Sequence, residues 1–172
     1  MNYLMSAVDR VRSWSDEEYG QSLSTFLDEQ PMLFSWLIRL SEEFDDDVHE
    51  QLVRSAMVLR EGFRGMGLSV GTISDVCIVD VTTEVVETFE ALENEVEVID
   101  LEGIEKVARS PFVHTEVRNF LHQELRAGLP RGEADQHNLM LVVDILIGCF
   151  EESVEQPGAS GQACPPPRLS PK

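Results

Sequence analysis

The sequence predicts an all-α protein, a compact bundle of about six to eight helices followed by a disordered C-terminal tail. Apolar residues recur at every third or fourth position through most of the chain, which is the period of helices that bury one face. Hydrophobic residues make up 42% of the 172 positions, and a chain of this length can bury a core unaided. We expect the bundle to span residues 1–156 and the tail, rich in proline and glycine, to span residues 157–172.

Two helices are predicted at the N-terminus. Leu4, Val8 and Val11 fall on one face of a short first helix. Ser15 and Glu18 have the spacing of a capping box, in which each side chain accepts a hydrogen bond from the other residue's backbone amide. This box predicts the start of a second helix, whose inner face carries Tyr19, Leu23, Phe26 and Leu27.

A third helix is predicted from Pro31 to Phe44, since proline is favoured in a first helical turn. Its sequence, PMLFSWLIRLSEEF, leaves almost no polar face in the first ten residues. A helix that is apolar nearly all round belongs in the centre of a bundle. The alternative is that its second face docks a partner.

The acidic stretch SEEFDDDVHEQ, residues 41–51, is interpreted as a joint between helices. Its aspartates supply an N-cap for a helix from about Asp47 to Met66, in which Glu50 and Arg54 form an i,i+4 pair. A calcium loop is excluded because the required glycine and late glutamate are absent. Asp46 and His49 leave a metal pair open as the less favoured alternative.

Residues 74–94 could contain a strand, because Val76–Thr82 is rich in β-branched residues. We predict a helix instead, because a helical pattern of apolar residues extends beyond this short stretch over about four turns. One face carries Ile78, Val81, Val85, Phe89 and Leu92, and the opposite face carries Asp80, Thr83, Glu87, Glu90 and Asn94.

The rest of the bundle is expected to contain a short extended piece at residues 96–100, helices at about residues 101–109 and 110–126, and a last helix at about residues 133–154. The apolar run Leu139–Phe150 is predicted to be central. Asp144 and Gly148 recur on one stripe of this helix, so we expect both on an outer, polar face. The alternative is a close helix–helix contact at Gly148, for example at an interface between two copies of the chain.

Composition excludes several classes of function. The formal net charge of −19 disfavours binding to nucleic acids and to anionic membranes. Cys77, Cys149 and Cys164 are odd in number and widely spaced, which argues against a disulfide framework. The N-terminus lacks the apolar run of a signal peptide, and no apolar run approaches the roughly 20 residues that span a bilayer. These features predict a soluble cytoplasmic protein.

A block without any lysine or arginine extends from Gly65 to Glu105 and is rich in acids. Such a surface repels itself, so it can be kept because it binds a basic protein segment. The simplest explanation of this block is that its charge keeps the protein soluble. Mimicry of the charge of a nucleic acid is a further alternative. The partner-binding residues predicted from this block are Asp80, Glu84, Glu87, Glu90, Glu95, Glu97 and Asp100.

No motif for nucleophilic catalysis or phosphate binding occurs, and no catalytic, cofactor-binding or metal-binding residue is assigned.

The favoured function is a non-enzymatic, cytosolic interaction or regulatory module that binds a basic protein and can self-associate. The alternative is a metal-binding helical bundle, enzyme or carrier, that uses carboxylates with His49, His114, His122 or His137. His114, Arg118 and His122 form an i, i+4, i+8 row, expected to be a solvated face. The alternative is a docking site for an acidic group or for the protein's own acidic face.

Overall fold

The computed structural model describes residues 3–40, 42–95, 118–123 and 133–155, and in these ranges the protein is a compact all-α fold. The helices are α1 (Tyr3–Ser13), α2 (Asp16–Glu29), α3 (Pro31–Leu40), α4 (Asp46–Gly65), α5 (Asp75–Glu95), α6 (described over residues 118–123) and α7 (Glu133–Glu152). The described ranges contain no strand beyond an isolated antiparallel bridge between Val70 and Val154. The predicted helix at residues 74–94 is confirmed. The expected extended piece, the helix at residues 101–109 and the tail lie outside the described residues.

Side-chain caps begin two of the helices where the sequence predicted them. The backbone amide of Glu18 donates to Ser15 Oγ at 3.3 Å, and the amide of Ser15 donates to Glu18 Oε2 at 2.8 Å. The amide of Val48 donates to Asp45 Oδ1 at 3.1 Å, so Asp45 is the N-cap of α4. The acidic joint is therefore a cap. The predicted end of α3 at Phe44 was wrong, because α3 ends at Leu40 and Phe44 belongs to the turn before the cap.

The link between α4 and α5 is held by glycine geometry and by one buried side chain. Gly67 has a φ of 74°, and the amides of Gly67 and Leu68 donate to the carbonyls of Arg64 and Phe63. This is the Schellman ending of a helix, which requires a left-handed residue and therefore favours glycine. Farther along, Gln30 donates from Nε2 to the carbonyl of Gly71 at 2.9 Å and accepts from the amide of Ile73 at 2.7 Å.

The core lies between α4 and α7, which pack against each other while α4 also packs on α1 and α3. Leu59 of α4 and Leu146 of α7 are fully buried. Phe63 and Phe150 join the two helices, with ring centroids 5.6 Å apart. Each such side chain contributes about 1.5–3 kcal/mol on burial. The central position predicted for Leu139–Phe150 is confirmed.

Helix α3 is central on one face only. Leu33 and Leu37 are fully buried, whereas Met32 is 41% exposed and Ile38 is 57% exposed. The expectation of a helix buried all round is therefore wrong for this second face, because no described helix covers it.

Helices α5 and α7 pack as an antiparallel pair. Near the start of α5, Val81 lies against Gly148, and near its end Phe89 packs with Met140 of the early part of α7. A Cβ atom added to Gly148 would lie 2.7 Å from Val81 Cγ1, closer than carbon atoms pack. The outer position expected for Gly148 was wrong, and the alternative of a close helix–helix contact is confirmed, here within one chain.

None of the helices in the described ranges is both long and apolar enough to cross a bilayer.

Candidate functional site

The packing of α5 against α7 leaves one face of α5 in solvent. Ile78, Val81 and Phe89 point inward and are 5–6% exposed. The opposite face, called the acidic stripe here, consists of residues spaced three and four apart, which lie in one row along a helix. Its members are all exposed: Val76, Val79, Asp80, Thr83, Glu84, Glu87, Glu90 and Ala91.

The carboxylates of the acidic stripe keep their negative charge exposed. Asp80, Glu84 and Glu87 form no ion pair with any other described residue. The arginines of α4 pair elsewhere, as Arg54 does with Glu50 at 3.0 Å. Like charges three and four residues apart each destabilise a helix by about 0.2–0.5 kcal/mol. The stripe is therefore a small but repeated cost to the stability of α5.

Two valines give the acidic stripe an apolar end. Val76 is 62% exposed and Val79 is 63% exposed, and both lie at the N-terminal end of α5 beside Asp80. Thr83 lies between Asp80 and Glu84 in the stripe, and its hydroxyl donates to the carbonyl of Val79 at 2.9 Å. The stripe thus offers an apolar end followed by a row of carboxylates.

The structure brings together part of the partner-binding set that the sequence predicted. Asp80, Glu84, Glu87 and Glu90 share the exposed face of α5. Glu95 is the last residue of α5, and its side chain lies outside the described part of the structure. Glu97 and Asp100 also lie outside the described residues.

A buried charge cluster joins α6 and α7, and the sequence reasoning missed it. Arg118 donates from Nε and Nη2 to the two carboxylate oxygens of Asp144, both at 2.7 Å. His122 Nε2 lies 3.1 Å from Asp144 Oδ1. The three residues are 3–9% exposed. The outer positions expected for Asp144 and for the Arg118–His122 row are therefore wrong.

The geometry of this cluster explains the charge state of Asp144. Burial alone would raise the pKa of Asp144, but the hydrogen bonds and charges of His122 and Arg118 outweigh burial and lower it. The carboxylate therefore stays ionised and compensates the buried guanidinium. The acidic group that Arg118 and His122 bind is therefore a residue of the same chain, Asp144. A single acid inside a twelve-residue apolar run was the signal in the sequence for this buried partner.

Two of the histidines proposed for a metal site, His49 and His122, have described side chains, and each contacts a different pair of helices. His49 Nε2 lies 3.0 Å from the carbonyl oxygen of Leu37, where it links α4 to α3. His122 faces Asp144 in the buried cluster. His114 and the side chain of His137 lie outside the described residues. In the part of the chain that is described, no group of three His, Cys, Asp or Glu side chains is placed to hold a metal ion.

A cleft of about 390 Å³ lies between α2, the end of α4 and residues 67–70, with Phe26 and Phe150 among its lining residues. Arg60, also in the lining, is 6% exposed and donates from Nε and Nη2 to the two carboxylate oxygens of Glu29, at 2.7 and 2.9 Å. The hydrogen bond from Arg60 lowers the pKa of Glu29 against a smaller opposing effect of burial. Arg60 also donates to Glu61 at 3.2 Å. The buried guanidinium of Arg60 is therefore paired with carboxylates of the protein itself.

Comparisons with protein-family models, with curated proteins and with solved structures give no match to this chain. The acidic stripe, defined by its own geometry, is the candidate functional site.

Proposed function

We propose that the protein is a non-enzymatic, cytosolic interaction module whose acidic stripe binds a basic segment of a protein partner. The observation that carries this proposal is the row of exposed carboxylates at Asp80, Glu84 and Glu87, none of which pairs with a described residue, on a helix anchored by its other face. Complementary charge raises the rate of encounter and fixes the orientation of partners more than it adds affinity.

The two exposed valines define the kind of basic segment that fits. A partner helix with lysines or arginines along one face would place them opposite the carboxylates. Apolar side chains at one end of the same face would cover Val76 and Val79, which removes apolar surface from water at about 25 cal/mol per Å². An amphipathic basic helix satisfies both requirements, and a uniformly charged polycation satisfies only the first.

A charge-neutralised variant tests the carboxylates. The full chain with D80N, E84Q and E87Q is compared with the wild type for binding to a synthetic helical peptide that carries lysines along one face and two leucines beside them. Exposed ion pairs contribute about 0.2–1 kcal/mol each, so losing three of them weakens binding about tenfold. Titration calorimetry at low and at physiological salt measures the loss, and the wild-type affinity falls as salt rises.

A matched control separates the acidic stripe from the general negative charge of the protein. The D9N, E42Q and D28N variant removes the same number of charges from exposed positions on other parts of the surface. We expect its affinity for the peptide to stay within about twofold of the wild type, since screened distant charges act weakly. Equal weakening by the two variants, or a wild type that does not bind, would overturn the proposal.

Substitution of both valines tests the apolar end independently. V76S and V79S leave every charge in place, so binding should weaken while its dependence on salt stays the same. A steeper or shallower salt dependence in this variant would show that the valines do not act as the apolar part of the site.

Self-association stays a prediction, and sedimentation equilibrium of the wild type tests it.

A further inference from the structure

Two cysteines that are 72 positions apart in the sequence lie where α5 packs on α7. Cys77, in the first turn of α5, is half-buried, and Cys149, near the end of α7, is buried. Both are free thiols in this structure. The sequence reasoning treated them as unrelated because their spacing matches no motif.

Two contacts place the thiol of Cys77 beside Cys149. Cys77 Sγ lies 3.8 Å from the hydroxyl oxygen of Ser153, which lies directly after the end of α7, four residues beyond Cys149. One turn along α5, Val81 lies so close to Gly148 that a Cβ there would be 2.7 Å from Val81 Cγ1. The missing side chain at Gly148 allows the two helix backbones to approach closely, and a disulfide requires close backbones, with Cα atoms about 4.4–6.8 Å apart.

The two thiols differ in environment. Burial first, and then the neighbouring Cys77 side chain, raise the pKa of the Cys149 thiol well above its usual range. Cys149 is therefore a poor nucleophile toward an oxidant in solvent, and it is also shielded from one. Cys77 is partly open to solvent, so it is the thiol that an oxidant reaches first.

We propose that Cys77 and Cys149 form a reversible disulfide when the protein meets a peroxide. In the first step the Cys77 thiolate attacks one oxygen of hydrogen peroxide, which breaks the O–O bond, leaves a sulfenic acid on Cys77 and releases hydroxide. In the second step the sulfur of Cys149 attacks the sulfur of that sulfenic acid. The S–S bond forms, and the hydroxyl group leaves as water with the proton of the Cys149 thiol. The two thiols lose two electrons in total, and the peroxide gains them.

The disulfide would lock α5 onto α7 at the end of α5 that carries Val76 and Val79. The disulfide is independent of the proposed binding of a basic partner, because it involves the inner face of α5 and the helix beneath it.

Peptide mapping of the full-length protein tests the proposal. Native wild-type protein is treated with hydrogen peroxide, its remaining thiols are alkylated, and it is digested without reduction. Residues 150–163 contain glutamates but no lysine or arginine, so trypsin alone leaves Cys149 and Cys164 on one peptide. The digestion therefore combines trypsin with a protease that cleaves after glutamate. We expect a linked pair of peptides that contains Cys77 and Cys149, lacks two hydrogen atoms and disappears on treatment with a dithiol. The variant C164S should give the same product, and C77S should not.

Unfolded protein supplies the decisive control. In a denatured chain the probability of closing a loop falls as about the three-halves power of its length, so Cys149 pairs with Cys164, 15 positions away, about tenfold more often than with Cys77, 72 positions away. The native protein should reverse this preference. A native preference for Cys164, or irreversible over-oxidation of Cys77 without any linked peptide, would overturn the proposal. In C149S, where the resolving thiol is missing, the sulfenic acid on Cys77 should persist and be trapped by dimedone.

Discussion

The contact between Gly148 and Val81 makes a quantitative prediction about helix packing. In the substitution G148A the new Cβ would lie 2.7 Å from Val81 Cγ1. Carbon atoms pack at about 3.5–4.0 Å, so α5 and α7 must move apart by about 1 Å or Val81 must leave its rotamer. Overpacking of this kind costs about 1–3 kcal/mol.

A second effect has the opposite sign. Alanine is better than glycine inside a helix by about 1 kcal/mol. The free energy of unfolding of G148A should therefore fall by about 0–2 kcal/mol rather than rise. In a V81A background the clashing Cγ atoms are gone and the remaining Cβ lies at 3.9 Å, an ordinary contact. There, G148A should stabilise the protein by about 1 kcal/mol.

Urea unfolding followed by circular dichroism at 222 nm measures all four members of this double-mutant cycle. The expected coupling energy between the two positions is about 1–3 kcal/mol. Gly20 provides a matched control, because it is exposed in α2 and a Cβ there would meet nothing within 4 Å. G20A should stabilise the wild type by the helix-propensity term alone. If G148A stabilises the wild type as much as G20A does, the close approach of α5 and α7 is refuted.

The remaining predictions concern the buried cluster and a helix cap. D144N removes the carboxylate that Arg118 and His122 face in the buried cluster and should lower the free energy of unfolding by about 3–5 kcal/mol, whereas E152Q, at an exposed site on the same helix, should change it by less than about 0.5 kcal/mol. Because the pKa of Asp144 is lowered in the folded state, its stabilisation is present above the unfolded value near 3.8 and is lost as pH falls through the lower, folded value. The difference in unfolding free energy between wild type and D144N should thus shrink below about pH 4, and a constant difference would contradict this assignment. S15A should cost about 1 kcal/mol through loss of the cap of α2, whereas S24A, on the exposed face of α2, should cost nothing measurable by urea unfolding.

Local signals in the sequence were sufficient where the physical cause is local. The capping box at Ser15 and the N-cap of α4 depend on atoms within three residues. The sequence therefore predicted the box and assigned the N-cap to the joint's aspartates, and the structure shows that it is Asp45. The helix α5 followed from a pattern that extends over several turns, and that pattern also separated its inner face from the carboxylates of the acidic stripe.

The errors concern places where a distant part of the chain decides. Asp144 was expected on an outer face because it shares a helical stripe of α7 with Gly148. Its partners, Arg118 and His122, come from α6 and bury it. Likewise, the open face of α3 at Ile38 could not be foreseen from its apolar sequence, since exposure depends on which helix lies opposite.

The sequence by itself determined where most helices begin, that the protein is all-α and that one face of α5 is acidic, because caps and periodicity act over a few residues. Only the tertiary structure decided which helices touch. The approach of Val81 to Gly148, the burial of Asp144 and the contact of Cys77 with Ser153 join residues far apart in the chain. Such contacts depend on the three-dimensional fit of whole helix surfaces, and no spacing within one helix encodes that fit.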